Sequence, residues 1–276
     1  MIPFTKMHGI GNDFVMVDAI QTPLPTADLT ALAKRANDRK FGIGGDGLIL
    51  VERGESAPYR MRMFNPDGSE SEMCGNGIRC FAKMLKDHGH LREDQVKVET
   101  GAGILELYIE PSGMVKVDMG PARLARGEIG MTGDPSAEFR EVEVETAIGV
   151  LPGTAVSMGN PHLVLFVDDA SKIDLTQVGP PLEHHPDFPN RTNVHFIQVL
   201  DRQTLIQKTW ERGAGATLAC GTGACASGVA AFLTGRAERD VEVRLPGGSL
   251  FISYQPSGHV FMTGPAETVF TGTLDA

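Results

Sequence analysis

The chain has 276 residues, 41% of them hydrophobic and 22% charged, with a formal net charge of −10. That length accommodates one large domain or two ordinary ones, and the composition excludes a disordered chain. The acidic balance argues against a nucleic-acid-binding face. No apolar run reaches the roughly 18 residues of a membrane span, and the start, MIPFTKMHGIGNDF, lacks a signal-peptide core. A soluble cytoplasmic protein is expected.

In chain order, Phe14–Val17, Leu48–Val51 and Tyr59–Phe64 read as strands from their β-branched, aromatic and apolar runs. After Cys74 the apolar residues Ile78, Phe81, Ala82 and Leu85 fall at helical spacing, and Gly89 in Asp87-His88-Gly89-His90 is a C-terminal stop. Strands follow at Val96–Glu99, Ile104–Ile109 and Val115–Met119. The second half repeats the plan, with strands, then Cys220, a helix over Ala224–Gly235, and strands at Val241–Leu245, Leu250–Tyr254 and Val260–Met262. The second helix is small and apolar nearly all round, so it must be enclosed.

The two halves also match residue by residue. Cys74-Gly75-Asn76-Gly77 recurs as Cys220-Gly221-Thr222-Gly223, 146 positions later. Pro111-Ser112-Gly113 recurs as Pro256-Ser257-Gly258, and Gly11-Asn12 as Gly159-Asn160, with order kept and offsets drifting only slightly. This predicts an α+β fold of two pseudo-symmetric lobes from an internal duplication, each a curved sheet wrapped around a central helix. Residues 1–119 with 265–276 form the first lobe and 120–264 the second.

Each repeat places a cysteine before Gly-x-Gly at a helix start. Exposed backbone N–H groups and the positive end of the helix dipole meet there, which lowers a thiol pKa and holds anions. Two such cysteines suggest a two-base reaction: one thiolate takes a proton from carbon, and the other thiol returns one to the opposite face. Cys80 and Cys225 fall mid-helix and read as core. The spacings C-x5-C and C-x4-C do not suit zinc, so no metal and no cofactor are expected. Gly42-Ile43-Gly44-Gly45-Asp46-Gly47 fits a dinucleotide pattern but lacks the preceding strand, so it reads as a loop that cups substrate or merely turns.

With these residues in hand, the chain resembles the diaminopimelate epimerases over essentially its whole length. The landmarks are Lys6–Phe14, Phe64–Glu70, Met73–Gly77, Gly159–His162, Arg191–Val194, Glu211–Gly215 and Ala219–Ala224. The resemblance implies a pyridoxal-independent isomerase that interconverts LL- and meso-2,6-diaminopimelate for lysine and cell-wall precursor synthesis. It implies that Cys74 and Cys220 are the acid–base pair and that His162 and Glu211 tune them. It assigns substrate contacts to Asn12, Asn65, Gly75, Asn76, Asn160, Asn193, Glu211, Arg212, Gly221 and Thr222, and suggests a homodimer. Two positions depart from many relatives, with Gly47 in place of Gln and Ala216 in place of Glu. A racemase of another amino acid, or a binding protein or phenazine-type isomerase on the same scaffold, is the competing reading. Asn76 disfavours a proline racemase, which reads Cys-Gly-His-Gly there. The paired reading also predicts that mild oxidation joins Cys74 to Cys220 in an inactivating disulfide. Failure of thiol reagents to restore oxidised protein would count against that pairing.

Overall fold

The computed structural model describes residues 1–22, 24 and 28–275. Contacts divide the chain into two compact units, Met1–Val117 with Thr263–Ala276, and Asp118–Met262.

The first unit opens with β1 (Ile2–Gly9) and β2 (Asn12–Asp18), an antiparallel hairpin. Its two-residue turn, Ile10-Gly11, has positive φ at both positions (49° and 87°), the geometry that matches strand twist. Helix α1 (Leu29–Asn37) starts at Asp28, whose side chain accepts the Ala31 N–H. Then come β3 (Gly47–Arg53), β4 (Tyr59–Phe64) and the short β5 (Glu70–Ser71), with β3 parallel to β2 and antiparallel to β4. Helix α2 (Gly75–Asp87) follows, then β6 (Gln95–Thr100), β7 (Gly103–Ile109) and β8 (Val115–Pro121). Helix α2 packs on β1, β2, β3 and β7, so the sheet curves round it.

The strand residues explain why both sheet faces are covered. Phe14 and Ile49 pack towards Gly77 of α2. Val15, Val17, Leu48 and Leu50 alternate with them and form a second core with Leu32, Ala33 and Ala36 of α1. A strand buried on both faces reads as a continuous apolar run, as Phe14–Val17 does. The expectation of one helix per sheet is thus incomplete, because α1 covers the outer face.

The second unit holds the one-turn α3 (Arg126–Ile129), β9 (Val142–Thr146), β10 (Gly149–Ser157) and β11 (Pro161–Phe166). Next are α4 (Leu175–Glu183), β12 (Asn193–Asp201), β13 (Thr204–Glu211) and β14 (Gly215–Ala216). Helix α5 (Gly221–Leu233) precedes β15 (Asp240–Leu245), β16 (Gly248–Tyr254) and β17 (His259–Gly264). Helix α5 contacts β10, β11, β12, β13, β15 and β16, and its Ala224, Ala226, Val229, Ala230 and Ala231 are fully buried. Small side chains let the strands close on it: a Cβ at Gly228 would lie 3.0 Å from Ile252 Cγ2. The last strand, β18 (Glu267–Leu274), pairs antiparallel with β1.

An ion cluster fixes the mouth of the first hairpin. Lys6 Nζ lies 2.5 Å from Asp13, and Arg39 bridges Asp13 (2.6 Å) and Asp46 (2.8 Å). Burial alone would raise the Asp13 carboxyl, but the hydrogen bonds and charges of Arg39 and Lys6 prevail and hold it at about 2. An unfolded Asp titrates near 3.9. The stability from this group is therefore full above about pH 4 and lost as pH falls towards 2, an expected loss of about 2 kcal/mol. Urea melts of wild type and Asp13→Asn over that range test it: an equal acid loss in both would remove Asp13 as the cause.

Candidate functional site

Each unit builds one cysteine-centred cluster. In the first, Cys74 is the N-cap of α2, with extended backbone (φ −139°, ψ 119°) and its sulfur accepting the Gly77 N–H at 3.5 Å. The Cys74 thiol donates to Asn12 Oδ1 (3.6 Å), which also takes Asn76 Nδ2–H (3.1 Å). Asn12 is oriented in turn by donating to Asp46 Oδ2 at 2.6 Å. The glycine-rich loop ending at Gly47 therefore supports Asn12 through Asp46. A Cβ at Gly47 would lie 2.8 Å from Met63 Cε, so a side chain there requires Met63 to move. Asn65 closes a turn by donating to Ser69 Oγ at 3.0 Å.

In the second, Cys220 caps α5 and is 4% exposed. The helix begins at Gly221, three residues before the sequence pattern placed it, because the extended Cys220 backbone (φ −124°, ψ 102°) starts it there. Thr222 Oγ1 lies 3.8 Å from Cys220 Sγ and 3.4 Å from Asn160 Nδ2. Burial pushes the Cys220 thiol well above its ordinary range, and the charge and hydrogen bond of Glu211 push the same way. The Gly223 N–H and the Thr222 hydroxyl oppose them without prevailing. At Cys220 the lowering expected of a helix start does not prevail: burial and Glu211 outweigh the hydrogen bonds of the Gly223 N–H and Thr222. Thr217 Oγ1 donates to Glu211 at 2.5 Å and fixes that carboxylate.

Strand register assembles what surrounds Cys220. On β11 and β12, His162 pairs with Asn193, and His195 pairs with Thr209 of β13. Alternation puts Gln207, Thr209 and Glu211 on one face of β13. His162 Nε2 is 3.0 Å from Asn160 Oδ1, and its Nδ1 is 2.9 Å from His195 Nε2. His195 Nδ1 is 3.0 Å from Thr209 Oγ1, which accepts Gln207 Nε2–H at 2.9 Å. Both imidazoles are fully buried. Burial pushes His162 far down, with the charges of His195 and Arg212 adding to it, and takes His195 to about 3. Both are neutral, so each ring carries one proton. Asn160 Oδ1 only accepts, which places the His162 proton on Nε2 and, in turn, the His195 proton on Nε2. Thr209 then donates to His195 Nδ1. This chain turns the Asn160 oxygen inward and its N–H2 towards Thr222.

A test follows from that order. Thr209→Val removes the donor that fixes His195 and is expected to lower kcat/KM about tenfold, the worth of one hydrogen bond, with Thr209→Ser restoring it. Imidazole 15N spectra should show both histidines as neutral Nε2–H from pH 5 to 9. A protonated His162, or one carrying its proton on Nδ1, would overturn the assignment.

Asn193 is a strut in this arrangement: it donates to Pro161 O (2.9 Å) and accepts the Arg212 N–H (3.0 Å), which sets the backbone of Arg212. The Arg212 guanidinium donates to Asn190 O at 3.2 Å. Glu183, which the sequence did not single out, accepts from Trp210 Nε1 (2.8 Å) and Gly213 N (3.0 Å) and holds the turn after Arg212. Cys80 and Cys225 are fully buried, and burial pushes Cys80 up to about 12. Among the described residues no helix is long and apolar enough to cross a membrane.

The fold defines a class. A PhzF-family phenazine biosynthesis protein from Bacillus anthracis superposes with TM-score 0.73 at 18% identity, covering 100% of this chain and 99% of its own. A probable proline racemase from Agrobacterium radiobacter superposes with TM-score 0.66 at 15% identity, covering 100% and 93%. The molecule is thus a two-unit α+β protein of the fold these proteins share. The model of the family described as diaminopimelate epimerase matches residues 4–125 and 154–269. The diaminopimelate epimerase of Moorella thermoacetica is 54% identical over 274 residues, 98% of each chain, and that of Synechococcus elongatus is 48% identical over 277 residues, 99% of this chain and 98% of its own. The chain belongs to the diaminopimelate epimerase family.

Proposed function

We propose that this chain interconverts LL- and meso-2,6-diaminopimelate in lysine biosynthesis, with Cys74 and Cys220 as the two bases. The observation that carries this is the repeated cluster: a cysteine capping a buried helix at Gly-x-Gly, twice, in a chain matched along its length to one epimerase family. One thiolate takes the α-proton and becomes a thiol. The electron pair left on carbon is delocalised into the carboxylate, and the other thiol protonates the opposite face and becomes the thiolate. Cys220, held as a thiol by burial and Glu211, serves first as the acid. The N–H groups of Gly75, Asn76, Gly221 and Thr222 receive the developing charge, and preorganised donors are worth most where water is excluded. Asn12, Asn65, Asn160, Asn193 and Arg212 order the rest of the substrate, Asn193 through the Arg212 backbone.

The reading is tested by incubating purified enzyme with LL-diaminopimelate in D2O and no added cofactor. The expected result is solvent deuterium at one α-carbon together with the meso isomer. Turnover of another amino acid with none of diaminopimelate would replace this reading by a racemase of that substrate.

A further inference from the structure

The far end of α2 carries a second group of chemistry-bearing side chains that the proton-transfer reading leaves unused. His88 is the C-cap of α2, and Gly89 (φ 74°) reverses the chain so that His90 returns to the same side. His88 Nδ1 and His90 Nε2 each lie 2.8 Å from one atom, Asp18 Oδ2, at the end of β2. The three donor atoms all lie within 4.8 Å of one another. Asp18 is 7% exposed, and its other oxygen accepts the N–H groups of Ile20 and Gln21, both at 3.1 Å. The carboxylate is thereby fixed with Oδ2 turned to the two rings. The His90 carbonyl accepts the Tyr59 hydroxyl at 2.7 Å, which pins the second ring's backbone.

We propose that Asp18, His88 and His90 form a binding site for a transition-metal dication of the zinc class, separate from the cysteines. Two imidazole nitrogens and one carboxylate oxygen suit zinc, cobalt or nickel and not magnesium or calcium, which take oxygen donors. Tetrahedral zinc with bonds of about 2.0–2.1 Å spaces its ligands about 3.3 Å apart. The two 2.8 Å separations to Asp18 need open by only about half an ångström to admit the ion, and the two ring nitrogens already lie within 4.8 Å of each other. As the metal takes the ring nitrogen that faces Asp18, any proton on that nitrogen passes to the ring's other nitrogen or to water, so no co-reactant is needed. The His88 side chain is 30% exposed, which leaves a path for water as fourth ligand. The position at the carboxyl end of α2 favours a cation, since the last helix carbonyls carry the negative end of the dipole. The bound ion ties the end of α2 to β2.

Chelator-treated protein is titrated with Co2+ and, separately, dialysed against Zn2+. The expected result is one ion per chain at this site, with cobalt d–d absorption lacking the thiolate charge-transfer band that cysteine ligation gives. Zn2+ should also raise the unfolding temperature. His88→Gln and His90→Gln keep an N–H for Asp18 but lose the ligand nitrogen. Each should fold as wild type without metal, bind at least roughly tenfold more weakly, and lose the Zn2+-dependent rise. Should one variant fail to fold, the other carries the comparison. Binding that persists unchanged in both variants, uptake only with a thiolate band, or no uptake at all overturns the proposal. None of these readouts depends on epimerase turnover, so this inference and the functional reading fail separately.

Discussion

Replacing Cys220 with Ser, or Cys74 with Ser, is expected to lower turnover by roughly 10³–10⁴-fold in both reaction directions. Serine keeps the size of the cap residue and its hydrogen-bonding capacity. Its hydroxyl, however, is far too weak an acid to supply the anion at neutral pH, and its alkoxide is not reachable within the buried start of α5 or α2. Each cysteine is base in one direction and acid in the other, so neither variant should retain a fast direction. Circular dichroism should remain that of wild type, because the N-cap geometry belongs to the backbone at Cys74 and Cys220. Turnover within tenfold of wild type in either variant would remove that cysteine from the chemistry.

Glu211→Gln is expected to lower turnover about 10²-fold and to move the titration of Cys220 to lower pH. The sign follows from the causes at the sulfur. Burial raises the Cys220 thiol first, and Glu211 raises it further through its charge and hydrogen bond. Glutamine keeps the shape and loses the charge, so the thiol pKa falls but stays above its ordinary value. A lower thiol pKa makes a weaker thiolate base, and removing an α-proton needs a strong one. The check is the pH dependence of iodoacetamide labelling of Cys220 in a Cys74→Ser background, where Cys80 and Cys225 are shielded in the core. An unchanged or higher labelling midpoint would show that Glu211 does not act on the sulfur electrostatically.

Much of the scaffold was legible because it rests on local patterns. Phe14–Val17 and Tyr59–Phe64 are strands by composition, and α2 follows from its apolar spacing and from the cysteine at its start. Other elements were hidden for specific reasons. Helix α4 contains Pro180 and Pro181, residues that normally break a helix. It is retained by tertiary packing: a Cβ at Gly179 would lie 2.4 Å from Trp210 Cδ2, so the helix seats directly on that indole. Helix α1 is short, and its sequence LTALAKRAN is too polar to stand out without the Asp28 cap. The pairing of β1 with β18 joins the two ends of the chain and has no local signature.

The same contrast holds at the cysteines. Their place before Gly-x-Gly is visible in one line of sequence, whereas the raised Cys220 thiol depends on burial and on Glu211. His195, Thr209 and Gln207 carry no motif; only the pairing of β12 with β13 makes them a set. His88-Gly89-His90 marked a helix end, and its link to Asp18 needed the fold.

The hairpin of β12 and β13 therefore meters how this protein can vary. Thr204 pairs with Asp201 across its tip, and Gln207, Thr209 and Glu211 share a face. An insertion of one residue near the tip would invert that face and discard the histidine relay and the carboxylate beside Cys220 in a single event. Two inserted residues would restore the face but carry the trio about 6–7 Å along the strand. Length changes at this tip are expected in pairs or not at all, because the opposite face of β13 is also committed, with Trp210 seated under α4 and bonded to Glu183.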